Sequence, residues 1–198
     1  MMKKVFILGC DRSGTTAFAR RLASKTNTIF LPEMQFIGDL LMHSTSESFG
    51  DVSPHLFNQF NAYKFDKKEI SQRNIKETDD VFKNFYDLIG IELDDSLDYY
   101  LDHTPWSDLS IPTDFIDEQT YFIHVLRDGE DVSKSIKLQY WGPNTTYTSQ
   151  KYWGQRIFEI ENFLKGKKGM TILHKDLIEC PEKILKKVIA FLNVNEIE

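Results

Sequence analysis

The stretch Val5-Phe6-Ile7-Leu8-Gly9-Cys10-Asp11-Arg12-Ser13-Gly14-Thr15-Thr16 decides the fold. Its first four residues are an unbroken apolar run, as a parallel strand needs when helices cover both of its faces. Gly9 and Gly14 stand at the GxxxxG spacing of a phosphate loop, and from Thr15 onward Ala17, Phe18, Arg21, Leu22 and Ala23 recur at helical spacing up to Lys25-Thr26-Asn27. Strand, glycine loop and helix in that order turn backbone N–H groups and a helix N-terminus toward an anion. The hydroxyls of Ser13, Thr15 and Thr16 can donate to the same oxygens. Thr15 occupies the place of the lysine found in nucleoside-triphosphatase loops, so the positive charge falls to Arg12. Cys10 reads as a small buried side chain finishing the strand.

Outward from this loop the same alternation continues. Thr28-Ile29-Phe30-Leu31 reads as a second strand broken by Pro32, and helical stripes follow over residues 33–43 and 81–89. Tyr99-Tyr100-Leu101 reads as a short strand leading into Asp102-His103-Thr104-Pro105. Residues 121–126 form the clearest later strand, followed by Arg127-Asp128-Gly129 and a helix carrying Val132, Ile136 and Tyr140. Residues 152–164 predict a helix, residues 170–173 a strand, and Pro181 opens a last helix with Ile184, Leu185, Val188, Ile189 and Leu192 on one face. His124 lies inside an apolar strand and reads as core. Strands alternating with helices indicate an α/β fold, a P-loop-like three-layer sandwich with a central, mainly parallel sheet. Ligands of such sheets bind beyond the carboxyl ends of the strands. The loops at residues 11–16, 102–105 and 127–128 should therefore meet at the site.

Composition sets the outer limits. With 24 Lys+Arg against 30 Asp+Glu, the 198-residue chain carries a net charge of −6. An acidic chain without a basic stripe is a poor track for nucleic acid, though a few Arg can still hold a small anion. A chain of this size can bury about 70% of its unfolded surface, enough for one domain over residues 1–198. Two cysteines, Cys10 and Cys180, form neither a disulfide framework nor a metal-ligand pattern. No apolar stretch approaches the roughly 18 residues of a membrane span, and residues 5–10 are too short for a signal-peptide core. A soluble, cytoplasmic protein is expected.

Arg12-Ser13-Gly14-Thr15-Thr16 resembles the loop with which sulfotransferases that use 3′-phosphoadenosine-5′-phosphosulfate (PAPS) wrap the 5′-phosphosulfate. Arg127-Asp128-Gly129-Glu130-Asp131-Val132-Ser133-Lys134-Ser135 is similar to the segment that binds the 3′-phosphate in that family, with Arg127 and Ser135 eight residues apart. Leu173-His174-Lys175-Asp176-Leu177, Cys180-Pro181-Glu182 and Phe191-Leu192 resemble its C-terminal segment, so the likeness runs from residue 5 to residue 194. The resemblance implies PAPS as co-substrate, no metal, and sulfuryl transfer to an acceptor hydroxyl of a carbohydrate or other small molecule. It assigns donor binding to Arg12, Ser13, Gly14, Thr15, Thr16, Arg127 and Ser135.

Sulfuryl transfer needs an in-line acceptor oxygen, a base for its proton, and cations around the transferred group. Arg12, permanently charged, is the electrostatic clamp. Two residues compete for the base. Glu33 follows Arg12 by 21 residues, a spacing similar to that of the catalytic Glu in tyrosylprotein and some carbohydrate sulfotransferases. His103, in a segment resembling the family's DKTP-like stretch, can supply charge when protonated or act as base itself, with Asp102 to orient it. Trp106, Tyr140 and Trp141 read as core aromatics. Three departures from the family pattern stand out. Asp11 replaces a common Pro, and His174-Lys175 replaces a Tyr-Glu pair. The third is at Glu198, where many relatives continue into a basic segment that closes over the donor. Closure would then fall to another loop such as residues 140–152, or to a partner subunit. Two other readings account for the same loop: a non-catalytic nucleotide-binding module of this fold, and a nucleotide kinase.

Overall fold

The structure is a computed structural model and describes residues 2–30, 33, 97–111 and 113–197. Among the described residues, four parallel strands form one sheet in the order β2-β1-β3-β4, with β1 over Lys3–Gly9, β2 over Tyr99–Asp102, β3 over Thr120–Leu126 and β4 over Gly169–Leu173. β1 is central because its apolar run satisfies both faces: Val5, Phe6, Ile7 and Leu8 are all buried. Alternation along the strands sorts the two faces. Val5, Ile7, Ile123 and Val125 join Phe18, Ala19 and Leu22 of α1 (Thr15–Ala23) in one core. Five residues of the C-terminal helix Pro181–Leu192 complete it: Ile184, Leu185, Val188, Ile189 and Leu192. Each such side chain contributes about 1.5–3 kcal/mol when fully buried. On the other face Phe6 stacks on Phe122, and Phe122 meets Phe163 edge-on at 5.1 Å. Phe163 belongs to the long helix Thr146–Leu164, so helices cover both faces of the sheet. Beside that helix lies Gly129–Ile136, whose Val132 packs with Cys10 and Ile157.

In chain order the described α-helices are α1, α2 (Ser107–Ser110), α3 (Gly129–Ile136), α4 (Thr146–Leu164), α5 (His174–Glu179) and α6 (Pro181–Leu192). Most sequence-based elements are present, with local differences. Thr28, Ile29 and Phe30 are not strand: Thr28 Oγ1 donates to the Tyr99 carbonyl, and Asp98 N donates to the Asn27 carbonyl. α3 stops at Ile136 and does not reach Tyr140, because Gln139 N bonds Ile136 O and the chain turns at Gly142. α4 begins six residues earlier than its apolar pattern suggests, where the Thr145 hydroxyl accepts from Thr148 N at 3.1 Å. The stripes over residues 34–43 and 81–89 lie outside the described residues. His124 is fully buried, and burial holds its imidazole neutral, with its pKa pushed down to about 4. Cys10 is buried as expected, and its thiol is pushed up to about 12 by burial and then by Asp11. No described helix is long and apolar enough to cross a membrane.

Candidate active site

The three loops converge at the carboxyl ends of β1, β2 and β3. Between β1 and α1 the chain closes a tight turn, with Ser13 N donating to Cys10 O at 3.0 Å. Arg12 (φ 68) and Gly14 (φ 89) both have left-handed backbones, so neighbouring N–H groups turn toward the inside of the loop. At Gly14 the conformation favours glycine, and a Cβ there would stand 2.9 Å from Cδ2 of His174. Gly9 is needed for another reason: its Cβ would meet Thr15 Cγ2 at 2.9 Å and the Val125 carbonyl at 3.2 Å. α1 begins without a side-chain cap, which leaves its first N–H groups available. The Ser13 hydroxyl is buried with no hydrogen-bond partner among the described residues.

Arg12 joins this loop to the turn after β3. Its Nε donates to Ser135 Oγ at 3.1 Å, and its carbonyl accepts from Arg127 Nη1 at 2.8 Å. Arg127 directly follows β3, while Ser135 lies on the second turn of α3, so the chain doubles back through Gly129. At the start of α3 the Asp128 carboxylate caps the helix, accepting from Glu130 N at 2.9 Å. Trp153 of α4 donates from Nε1 to the Arg127 carbonyl at 3.0 Å, and its ring lies so close to Gly129 that a Cβ would come within 2.7 Å. His174 borders both parts. Burial and then the Arg127 charge lower its imidazole pKa, while Asp131 acts in the opposite sense.

On the other side of the loop, Thr16 Oγ1 donates to Glu33 Oε1 at 2.9 Å. A carboxylate thus stands one helical position from the anion-binding turn. His103 is buried and lies flat on Phe30, with ring centroids 5.2 Å apart and planes within 2°, and the Arg20 guanidinium lies 5.3 Å from the Phe30 ring. Asp102 Oδ1 accepts from both the amide and the hydroxyl of Thr104, at 2.9 and 2.7 Å, which fixes the turn that carries His103.

Residues 4–198 match the sulfotransferase family. The chain belongs to that family. Solved structures agree at the level of fold. The sulfotransferase domain of the curacin biosynthetic pathway is 19% identical, with a TM-score of 0.64 over 98% of this chain and 75% of that one. The sulfotransferase domain of the Synechococcus PCC 7002 olefin synthase is 18% identical, with a TM-score of 0.67 over 97% and 73%. A mouse sulfotransferase crystallised with PAP is 12% identical, with a TM-score of 0.55 over 99% of this chain and 61% of that one. No curated protein matches by sequence.

In this sulfotransferase the residues singled out from sequence fall in one place. Arg12, Ser13, Gly14, Thr15, Thr16, Arg127 and Ser135 surround the β1–α1 turn; Glu33 adjoins it through Thr16, and His103 follows β2. The Thr16 hydroxyl, which the sequence offers to phosphate oxygens, donates to Glu33. Tyr140 is fully exposed and Trp141 half-exposed, so neither is core. Sequence reading missed Arg156, 1% exposed on α4. It holds Asp108 through two hydrogen bonds of 2.6 and 3.1 Å, binds the Pro105 carbonyl at 2.9 Å, and lies 4.6 Å over the Trp106 ring. Its one visible signal is position: it precedes Ile160 by one helical turn, on the face that turns inward.

Proposed function

We propose that this sulfotransferase takes PAPS as donor and transfers its sulfuryl group to an acceptor hydroxyl of a carbohydrate or another small molecule. The observation that carries the reading is the Arg12 junction, at which one side chain bonds Ser135 while its own carbonyl is held by Arg127. A ligand with two separate anionic groups is what such a junction suits. The donor set fits PAPS: the unpartnered Ser13 hydroxyl, the uncapped N-terminus of α1, and two arginines. The PAP found in the mouse neighbour supports the same donor. When bound, PAPS supplies the sulfuryl group and leaves as the 3′,5′-bisphosphate.

The residues divide the remaining work. Ser13, Gly14, Thr15 and Thr16 orient the 5′-phosphosulfate through N–H groups, joined by the hydroxyls of Ser13 and Thr15. Arg127 and Ser135 take the 3′-phosphate, and Arg12 meets the charge that develops on the departing oxygen. Glu33 accepts the acceptor's proton as the new S–O bond forms and the old one breaks. Its contact with Thr16 favours it over His103, whose ring is buried against Phe30. His103 lines the acceptor side. The chain acts as one domain over residues 1–198 in the cytoplasm, without nucleic acid or a membrane span. The test is sulfuryl transfer from labelled PAPS to a mixed panel of sugars, phenols and lipids. Glu33→Gln should abolish labelling while PAP binding persists, and His103→Asn should retain transfer. The opposite pattern overturns the assignment of the base, and binding without transfer by the wild type to any class overturns the enzymatic reading.

A further inference from the structure

Asp11 is an odd residue to find beside an anion-binding turn, because a carboxylate there repels the ligand the turn is shaped for. Its surroundings give a reason for it. Trp106 Nε1 donates to both carboxylate oxygens, at 3.2 and 3.1 Å, and the Tyr152 hydroxyl donates to Oδ2. The two rings lie 5.9 Å apart, one from the segment after β2 and the other from α4. Trp106 is fixed in turn from above by Arg156, which is anchored on Asp108, Glu159 and the Pro105 carbonyl. Next along the chain stands Arg12, a residue with a Cβ in the left-handed region (φ 68). L-residues other than Gly, Asn and Asp rarely hold that conformation, and it persists only where the surroundings over-determine it. Arg127 and Ser135 grip Arg12 itself, through its carbonyl and its side chain. Asp11 is the anchor on the preceding residue.

We propose that Asp11 is a positioning residue: clamped between Trp106 and Tyr152, it holds Arg12 in its left-handed conformation and keeps the phosphate loop in its binding shape before any ligand arrives. Arg156 acts one step further back by immobilising Trp106. The carboxylate is suited to this task because a charged acceptor makes shorter and stronger hydrogen bonds than a neutral one. Its two oxygens are taken up by the Trp106 and Tyr152 donors, so the carboxylate is occupied. Only its ligand arm depends on PAPS being the donor.

Amide hydrogen exchange of residues 11–16 in the ligand-free protein tests the proposal independently of the donor. Trp106→Phe and Tyr152→Phe each remove one donor while keeping a ring. Each should speed loop exchange by about tenfold, as expected for losing a hydrogen bond to a charged group. Asp11→Ala should match the two combined, and adding Trp106→Phe to Asp11→Ala should change nothing more. PAP affinity should fall in parallel. Leu185→Ala, a core change on α6, serves as control: it should lower the melting temperature without selectively loosening the loop. Folded Trp106→Phe/Tyr152→Phe protein with wild-type loop exchange overturns the proposal, as does a fully additive effect of Asp11→Ala and Trp106→Phe. Wild-type protein that fails to bind PAP but shows the predicted exchange pattern would refute the donor and leave the clamp standing.

Discussion

Two strand-to-helix turns lie side by side at the carboxyl edge of the sheet, and they solve the same local problem in opposite ways. After β3, Asp128 folds its carboxylate onto the first N–H groups of α3, so that helix satisfies its own N-terminus. After β1, no side chain among the described residues caps α1. The glycines differ in the same sense. Gly129 is there so that the Trp153 ring can pack against it, whereas Gly14 is there for a left-handed backbone. One turn is closed and packed, while the other is open and shaped. An anion therefore has a place to bind on the backbone of the first turn, while the second contributes side chains, Arg127 and Ser135, from beside it.

Substitutions can break or sharpen this contrast. The largest effect is expected at Arg12, where the two turns are joined. Arg12→Ala should lower the transfer rate by about 10²–10³-fold in a labelled-PAPS assay, the usual loss when a donor to developing charge is removed. Gly14→Ala should come next. The left-handed position costs an alanine about 1–2 kcal/mol, and the loop N–H groups would move off their ligand. Chemical denaturation should register that loss, and calorimetry a PAP affinity lowered by roughly tenfold. Asp128→Ala should have the smallest effect. It removes a cap worth about 1 kcal/mol, with PAP affinity changed by less than about twofold, because that helix end is not offered to the ligand. If Asp128→Ala weakened PAP as much as Gly14→Ala, the distinction between a closed and an open turn would fail.

The parts of this architecture that were legible in the sequence are those specified by local pattern. Val5-Phe6-Ile7-Leu8 and residues 121–126 announce buried parallel strands, and the stripes of α1 and α6 announce the faces they bury. Phosphate-loop spacing marks Arg12 and Gly14. Thr28, Ile29 and Phe30 misled because their strand-forming side chains serve other contacts: Thr28 bonds the Tyr99 backbone, and Phe30 stacks on His103. The network around Arg156 was not legible, because its partners Asp108, Pro105 and Trp106 are about fifty positions away and nothing local marks them. For the same reason Asp11 read only as a departure from a family pattern, although the structure gives it two hydrogen-bonding partners from different elements.

The central claim is that the open β1–α1 turn and the Arg127–Ser135 pair together hold a nucleotide bisphosphate. The most direct measurement is thermal unfolding of the wild type with saturating PAP, set against ATP with Mg²⁺. A ligand that binds only the folded state at a hundred times its dissociation constant adds about 2.7 kcal/mol of stability. We expect PAP to raise the melting temperature accordingly, ATP with Mg²⁺ to do less, and Arg12→Ala to abolish the PAP effect. A larger shift with ATP and Mg²⁺, or an unchanged melting temperature with PAP, would contradict the account.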